Sequence, residues 1–235
     1  MNQSLKAKNH FPTAVASAMA GKRASIFPPV SGCVIARIVA TVSLFLASHV
    51  TSALADPPGR VEASKCTVCH GVHGEGGPGG VPRLAGQNAD YINHALSVFK
   101  TGTRASAIMQ SISRNLSDLE IRQLADYFSN QRAPRLETAV PQSTERVFAG
   151  QQLAEKGAAN VDACFSCHAA RGKGNGARFP SIAAEPAQFV INRLHEFQAR
   201  ARGTTPQPGT MTAVAARLDE EQIEAAAAYL AQLEP

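Results

Sequence analysis

Apolar residues recur at helical spacing in two stretches of the first half of the chain. Tyr91, Ala95, Leu96, Val98 and Phe99 mark one helix, and Leu116, Leu119, Leu124 and Phe128 mark another. The second of these opens on Ser117 followed by Asp118 and Glu120, and its counterpart later in the chain opens on Asp219 followed by Glu220 and Glu221. Ser and Asp are N-cap residues, and acidic groups in a first turn suit the helix dipole, so each half is predicted to end in a capped helix. Residues 71–86 and 172–184 are rich in Gly and Pro and read as loops. No stretch alternates apolar and polar positions, so the chain is predicted to be all-α.

The pattern occurs twice. At an offset of 98, Cys66, Cys69, His70, Pro82, Tyr91, Leu96 and Phe99 fall on Cys164, Cys167, His168, Pro180, Phe189, Leu194 and Phe197. At an offset of 102, Met109, Leu116, Ile121 and Tyr127 fall on Met211, Leu218, Ile223 and Tyr229. The second copy therefore gains four residues, placed by this reading in a loop over residues 202–209. Residues 131–146, with two prolines and mixed polarity, read as a connector. The division is 57–133 for the first domain, 134–146 for the linker and 147–235 for the second.

Composition narrows the picture. The chain has 235 residues, 44% of them apolar, which excludes a disordered or collagen-like polymer. Only 6% are aromatic and none is Trp, lean material for a large core. Two small domains filled in part by a bulky cofactor fit that scarcity, and such domains lean on the cofactor for much of their stability.

The net charge of +5 suggests a basic protein, but its source is local. Lys6, Lys8, Lys22, Arg23 and Arg37 lie in residues 1–55, which contain no Asp or Glu; the remainder carries eighteen basic and eighteen acidic residues. No basic stripe with interleaved aromatics remains, so nucleic-acid binding is excluded. Basic residues ending at Arg37, an uncharged apolar run from Ile38 and the ending Ala53-Leu54-Ala55 read as an export signal cleaved after Ala55, with Met19 as an alternative start. The competing reading is a retained anchor, since residues 38–55 carry no Lys, Arg, Asp or Glu. Val30-Ser31-Gly32-Cys33 is a weaker, lipid-attachment-like pattern, with a Pro-Pro pair before it and the apolar run after it.

Removing the leader leaves four cysteines in two Cys-x-x-Cys pairs, each followed at once by His: Cys66-Thr67-Val68-Cys69-His70 and Cys164-Phe165-Ser166-Cys167-His168. This is the attachment pattern of a c-type haem. Two thiols one helical turn apart reach the two vinyl groups of one porphyrin, and the adjacent His supplies an axial bond to iron. A zinc site from all four cysteines is disfavoured by the long gap between Cys69 and Cys164. A thioredoxin-like pair lacks its βαβ setting, and structural disulfides would not require the histidines. Outside the leader there are two methionines, Met109 and Met211, one downstream of each motif at a similar distance. A single Met is ordinarily core filler, but one per motif makes a second axial ligand of each.

Both halves resemble class I cytochrome c domains. The pair, with Pro82-Arg83-Leu84-Ala85-Gly86-Gln87, Phe99-Lys100-Thr101-Gly102 and Leu116-Ser117-Asp118, is similar to the dihaem cytochrome c4 family over residues 57–235. The resemblance implies two covalent haems, each wrapped by one domain. It also implies that Pro82 and Pro180 offer backbone carbonyls to His70 and His168. Arg83, Gln87, Tyr91 and Arg178 are candidates to meet haem propionates, with ordinary solvated side chains as the alternative. His73, His94 and His195 read as surface histidines, and Tyr127 and Tyr229 as core packing.

With two protein ligands on each iron, substrate has no place to bind, and the expected function is electron transfer rather than catalysis. The resemblance implies a periplasmic carrier from a quinol-oxidising complex to a terminal oxidase. The alternative is the electron-accepting subunit of an enzyme complex, such as a flavocytochrome c sulfide dehydrogenase. A dihaem peroxidase is disfavoured, because it is longer and needs an open or displaceable ligand. The partners are therefore redox proteins, and peripheral association with a membrane is compatible with either reading.

Overall fold

Helix α1, Arg60–His70, ends on the first haem motif. The computed structural model describes residues 60–132, 134–136 and 141–235; the leader, Cys33 and the cleavage after Ala55 lie outside the described residues. Asn88 starts α2, Ala89–Lys100, its side chain accepting from the amides of Asp90 and Tyr91. Ser106 caps α3, Ala107–Arg114, through the amide of Met109. Ser117 caps α4, Asp118–Ser129, in a reciprocal box with Glu120. The apolar faces meet in a core of Ala63, Ile92, Leu116, Ile121, Leu124, Ala125 and Phe128.

The second half repeats this with changes. Helix α5, Thr144–Lys156, precedes a short α6, Cys164–His168, that carries the second motif. Then come α7, Ala187–Gly203, α8, Met211–Ala215, and α9, Glu220–Leu230, the last opening on a capping box between Asp219 and Gln222. Its core joins Leu153, Val161, Val190, Leu194, Ala215, Leu218, Ile223, Ala226, Ala227 and Leu230. Between motif and next helix each half forms a loop with one short 3-10 turn, Pro78–Gly80 and Ala170–Gly172. Among the described residues there are isolated bridges but no strand, and the two helical halves follow one another in tandem.

Two boundaries differ from the sequence reading. The connector does not reach residue 146: Ser143 accepts from the amide of Arg146, so α5 starts at Thr144. The four extra residues go mainly into helix rather than loop, since α7 has 17 residues where α2 has 12. Helix α2 stops because Gly102, at φ 78°, takes a left-handed turn that closes on Phe99. Its counterpart in the repeat is Arg200, amid helix-forming Ala and Arg, so α7 runs on to Gly203.

Helices α5 and α9 cross at Gly150, where a side chain would fall on the carbonyl oxygen of Ala225 and within 2.8 Å of Tyr229 Cβ. The run Ala225, Ala226, Ala227 and Ala228, all buried, keeps the facing surface equally small. This close crossing holds the terminal helix of the second half against its first.

Candidate haem sites and the seam between them

The last turns of α1 place Cys66 and Cys69 three residues apart, with Cys66 half-buried and Cys69 exposed; Cys164 and Cys167 repeat that arrangement in α6. None of the four is in a disulfide. Burial pushes the Cys164 thiol up to about 11.

Each motif histidine turns inward, His70 at 7% and His168 at 6% exposure. The Nδ1 of His70 lies 2.9 Å from the carbonyl oxygen of Pro82, and that of His168 lies 2.8 Å from the carbonyl oxygen of Pro180. A carbonyl can only accept, so Nδ1 carries the proton and Nε2 presents a free lone pair. Burial lowers the pKa of both rings, with the carbonyl contact opposing it. The result is a neutral, oriented imidazole, the form that binds iron. The loops that deliver the carbonyls match bond for bond. Gly76 N–H reaches His70 O and Leu84 N–H reaches Gly74 O, as Gly174 reaches His168 O and Ile182 reaches Gly172 O.

These donor sets fit c-type haem. Each offers two cysteine thiols at helical spacing, outside any disulfide, and one neutral imidazole, while no group of three or more His, Cys, Asp or Glu among the described residues forms a cage for a bare metal ion. Ser113 Oγ, fully buried one turn beyond Met109 on α3, has no hydrogen-bond partner among the described residues. Met109 is half-buried near the start of α3, and Met211, first residue of α8, packs on the second core.

The residues considered for propionates take other roles in this structure. Arg83 Nε donates to Ala85 O at 2.9 Å, and its Nη1 donates to Pro134 O at 2.9 Å, pinning the connector to the first haem loop. Gln87 crosses to the second half, where Nε2 donates to Ser181 O at 3.0 Å and Oε1 accepts from Ser181 N–H at 2.8 Å. Arg178 donates to Gly209 O at 3.3 Å and lies over the Phe179 ring. Tyr91 hydrogen-bonds Arg104, whose guanidinium stacks over Phe99 at 4.5 Å. His73 and His94 are exposed, and His195 pairs with Glu220 at 2.9 Å near the surface. Tyr127 packs edge-on against Phe128, whereas Tyr229 also donates to Glu155 at 3.1 Å.

Sequence reasoning missed Glu185 and Arg104. Glu185, at 5% exposure, accepts from the Arg83 N–H at 2.9 Å across the seam. Its only sequence signal is alignment with Gln87 in the repeat. Beside it Pro186 packs on Gly76, and the Pro78–Gly80 turn lies against α7. Both haem loops thus meet along one hydrogen-bonded seam within a single compact unit.

The family model for cytochrome c matches residues 60–132 and 149–234. The thiosulfate dehydrogenase electron acceptor of Stutzerimonas stutzeri is 33% identical over 174 residues, covering 73% of this chain and 80% of that protein. Cytochrome c4 of Azotobacter vinelandii is 32% identical over 185 residues, covering 73% and 86%. A solved cytochrome c4 from Acidithiobacillus ferrooxidans superposes with a TM-score of 0.64 at 31% identity, covering 72% of this chain and 99% of that one. Two Cys-x-x-Cys-His motifs, two carbonyl-oriented histidines and these likenesses make the protein a dihaem electron-transfer protein with two covalent c-type haems, and the chain belongs to the dihaem cytochrome c4 family.

Proposed function

We propose that the protein relays single electrons through two haems held on either side of the seam, with His70 and Met109 on one iron and His168 and Met211 on the other. The observation that carries this is the matched pair of histidine-to-proline-carbonyl bonds, which leaves one Nε2 in each half aimed by its loop. Each haem, when bound, supplies a one-electron iron couple. The chain's own residues would fix that couple's surroundings: the prolyl carbonyls orient the imidazoles, the thiols would anchor the macrocycles, and Met109 and Met211 would supply the second protein ligands. With two protein ligands on each iron, no coordination site would stay open for a substrate.

In this reading residues 1–55 are an export signal, the mature chain works in the periplasm, and electrons pass from a quinol-oxidising complex to a terminal oxidase. Among the described residues no helix is long and apolar enough to cross a membrane. A second reading, acceptance of electrons from a sulfur-compound dehydrogenase, is favoured by the likeness to the electron acceptor of thiosulfate dehydrogenase. Stopped-flow reduction by each donor separates them: fast reduction by a quinol-oxidising complex supports the first, and fast reduction by thiosulfate dehydrogenase with slow reduction by the other supports the second. Binding of carbon monoxide to the native reduced protein would overturn the closed-carrier assignment altogether.

A further inference from the structure

The repeat places Glu185 where the first half has Gln87, and Ser181 where it has Arg83. These four residues meet across the seam as two equivalent pairs, the mark of a pseudo-two-fold interface in which each side offers the other the same contact. In one pair, Gln87 uses its amide N–H and its amide oxygen to bind the carbonyl and the N–H of Ser181. In the other, Glu185 Oε2 accepts from the N–H of Arg83. An amide has a donor and an acceptor and matches both backbone groups. A carboxylate has acceptors only, whereas a carboxylic acid regains the donor and with it the pattern of the amide.

We propose that Glu185 stands in the seam as a neutral carboxylic acid, a positioning counterpart of Gln87 that binds the backbone N–H and carbonyl of Arg83 together, and that release of its proton to solvent loosens the hold between the two haem halves. The burial of this carboxyl supports the assignment, because desolvation disfavours the ionised form and pushes its pKa up to about 8. The positive charges acting on it, from Arg83 and Arg104, together with the Arg83 N–H, oppose that rise but do not cancel it. Arg83 spends guanidinium donors on the carbonyls of Ala85 and Pro134 and also feels Glu75; Arg104 is engaged by Tyr91 and Phe99 and feels Arg193 and Glu196 from α7. The positioning role goes beyond the carrier assignment and holds for either donor.

The test uses the haem-loaded protein and its Glu185→Gln variant, which keeps the size and the donor-acceptor pair of Gln87 and should fold. Infrared spectra across a pH series report the carbonyl stretch of an un-ionised carboxylic acid, and redox titrations report the separation between the two reduction potentials. The wild type is expected to show the stretch at neutral pH, to lose it with a midpoint near pH 8 and to change its potential separation in the same window. Glu185→Gln is expected to lack both transitions and to hold the neutral-pH separation throughout, while Glu185→Ala shows the loosened value at every pH. Absence of the stretch in the wild type, its persistence in Glu185→Gln, or a potential separation that does not follow it would overturn the proposal. None of these outcomes depends on carbon monoxide binding, which tests the carrier assignment separately.

Discussion

Gln87 bonds both backbone groups of Ser181, a residue 94 positions away, and so ties the first haem loop to the second. Both groups lie in the seam, where a backbone N–H or carbonyl left without a partner costs about 1–3 kcal/mol. Gln87→Ala is therefore expected to lower stability by about 2 kcal/mol or more and to alter the separation of the two haem potentials. Chemical denaturation with redox titration checks this; a variant unchanged in both would show that the seam is held elsewhere.

If Met109 and Met211 are the second axial ligands, each can be removed singly. Met109→Ala and Met211→Ala are each expected to lower the potential of one haem and to let that haem alone bind carbon monoxide when reduced. Difference spectra give the count directly. Two unaltered low-spin haems in either variant would remove that methionine from the ligand set.

The α5–α9 crossing leaves no room at Gly150, since an added Cβ falls on the backbone of Ala225 rather than on a side chain that could swing aside. Gly150→Ala is expected to cost about 3 kcal/mol. For a domain of this size that corresponds to a fall of more than about 10 °C in Tm, measurable by thermal circular dichroism.

Where the first half leaves its motif through Gly71 at φ 86°, the second uses Ala169 at φ 60° and ψ 172°, a region that suits only glycine. Restoring glycine removes that strain. Ala169→Gly is expected to stabilise the second half by about 1 kcal/mol, seen as a higher denaturation midpoint with the haem spectrum unchanged.

Removing the anchors of one site should spare the other. Cys66→Ser combined with Cys69→Ser is expected to yield one covalent haem per chain and a partial loss of helical signal, because α1 and its core neighbours lose the group they wrap. A chain with undiminished helicity would mean that Ala63, Ile92, Leu124 and Phe128 suffice as a core.

Much of the site was legible because its chemistry is local. Two thiols and an imidazole within five residues are forced together by one turn of helix, and the Ser117 and Asp219 caps announce their helices by residue type alone. The prolyl carbonyls came through resemblance and not from pattern, since a backbone acceptor leaves no trace in a side-chain code. The Gly-Thr-Thr-Pro run after Arg202 reads as loop chemistry, yet the absence of glycine at position 200 is the stronger signal and α7 runs on to Gly203.

The all-α class, the doubling of the domain, the two haem anchors and the histidine beside each follow from residues near one another along the chain. Only the tertiary structure decided that Arg83 serves the seam and the connector, that Gln87 crosses to Ser181, and that Glu185 is buried opposite Arg83. Those contacts join residues 51 to 102 positions apart. Their partners are backbone groups every residue possesses, so the side chain alone does not name its mate until folding brings the two loops face to face.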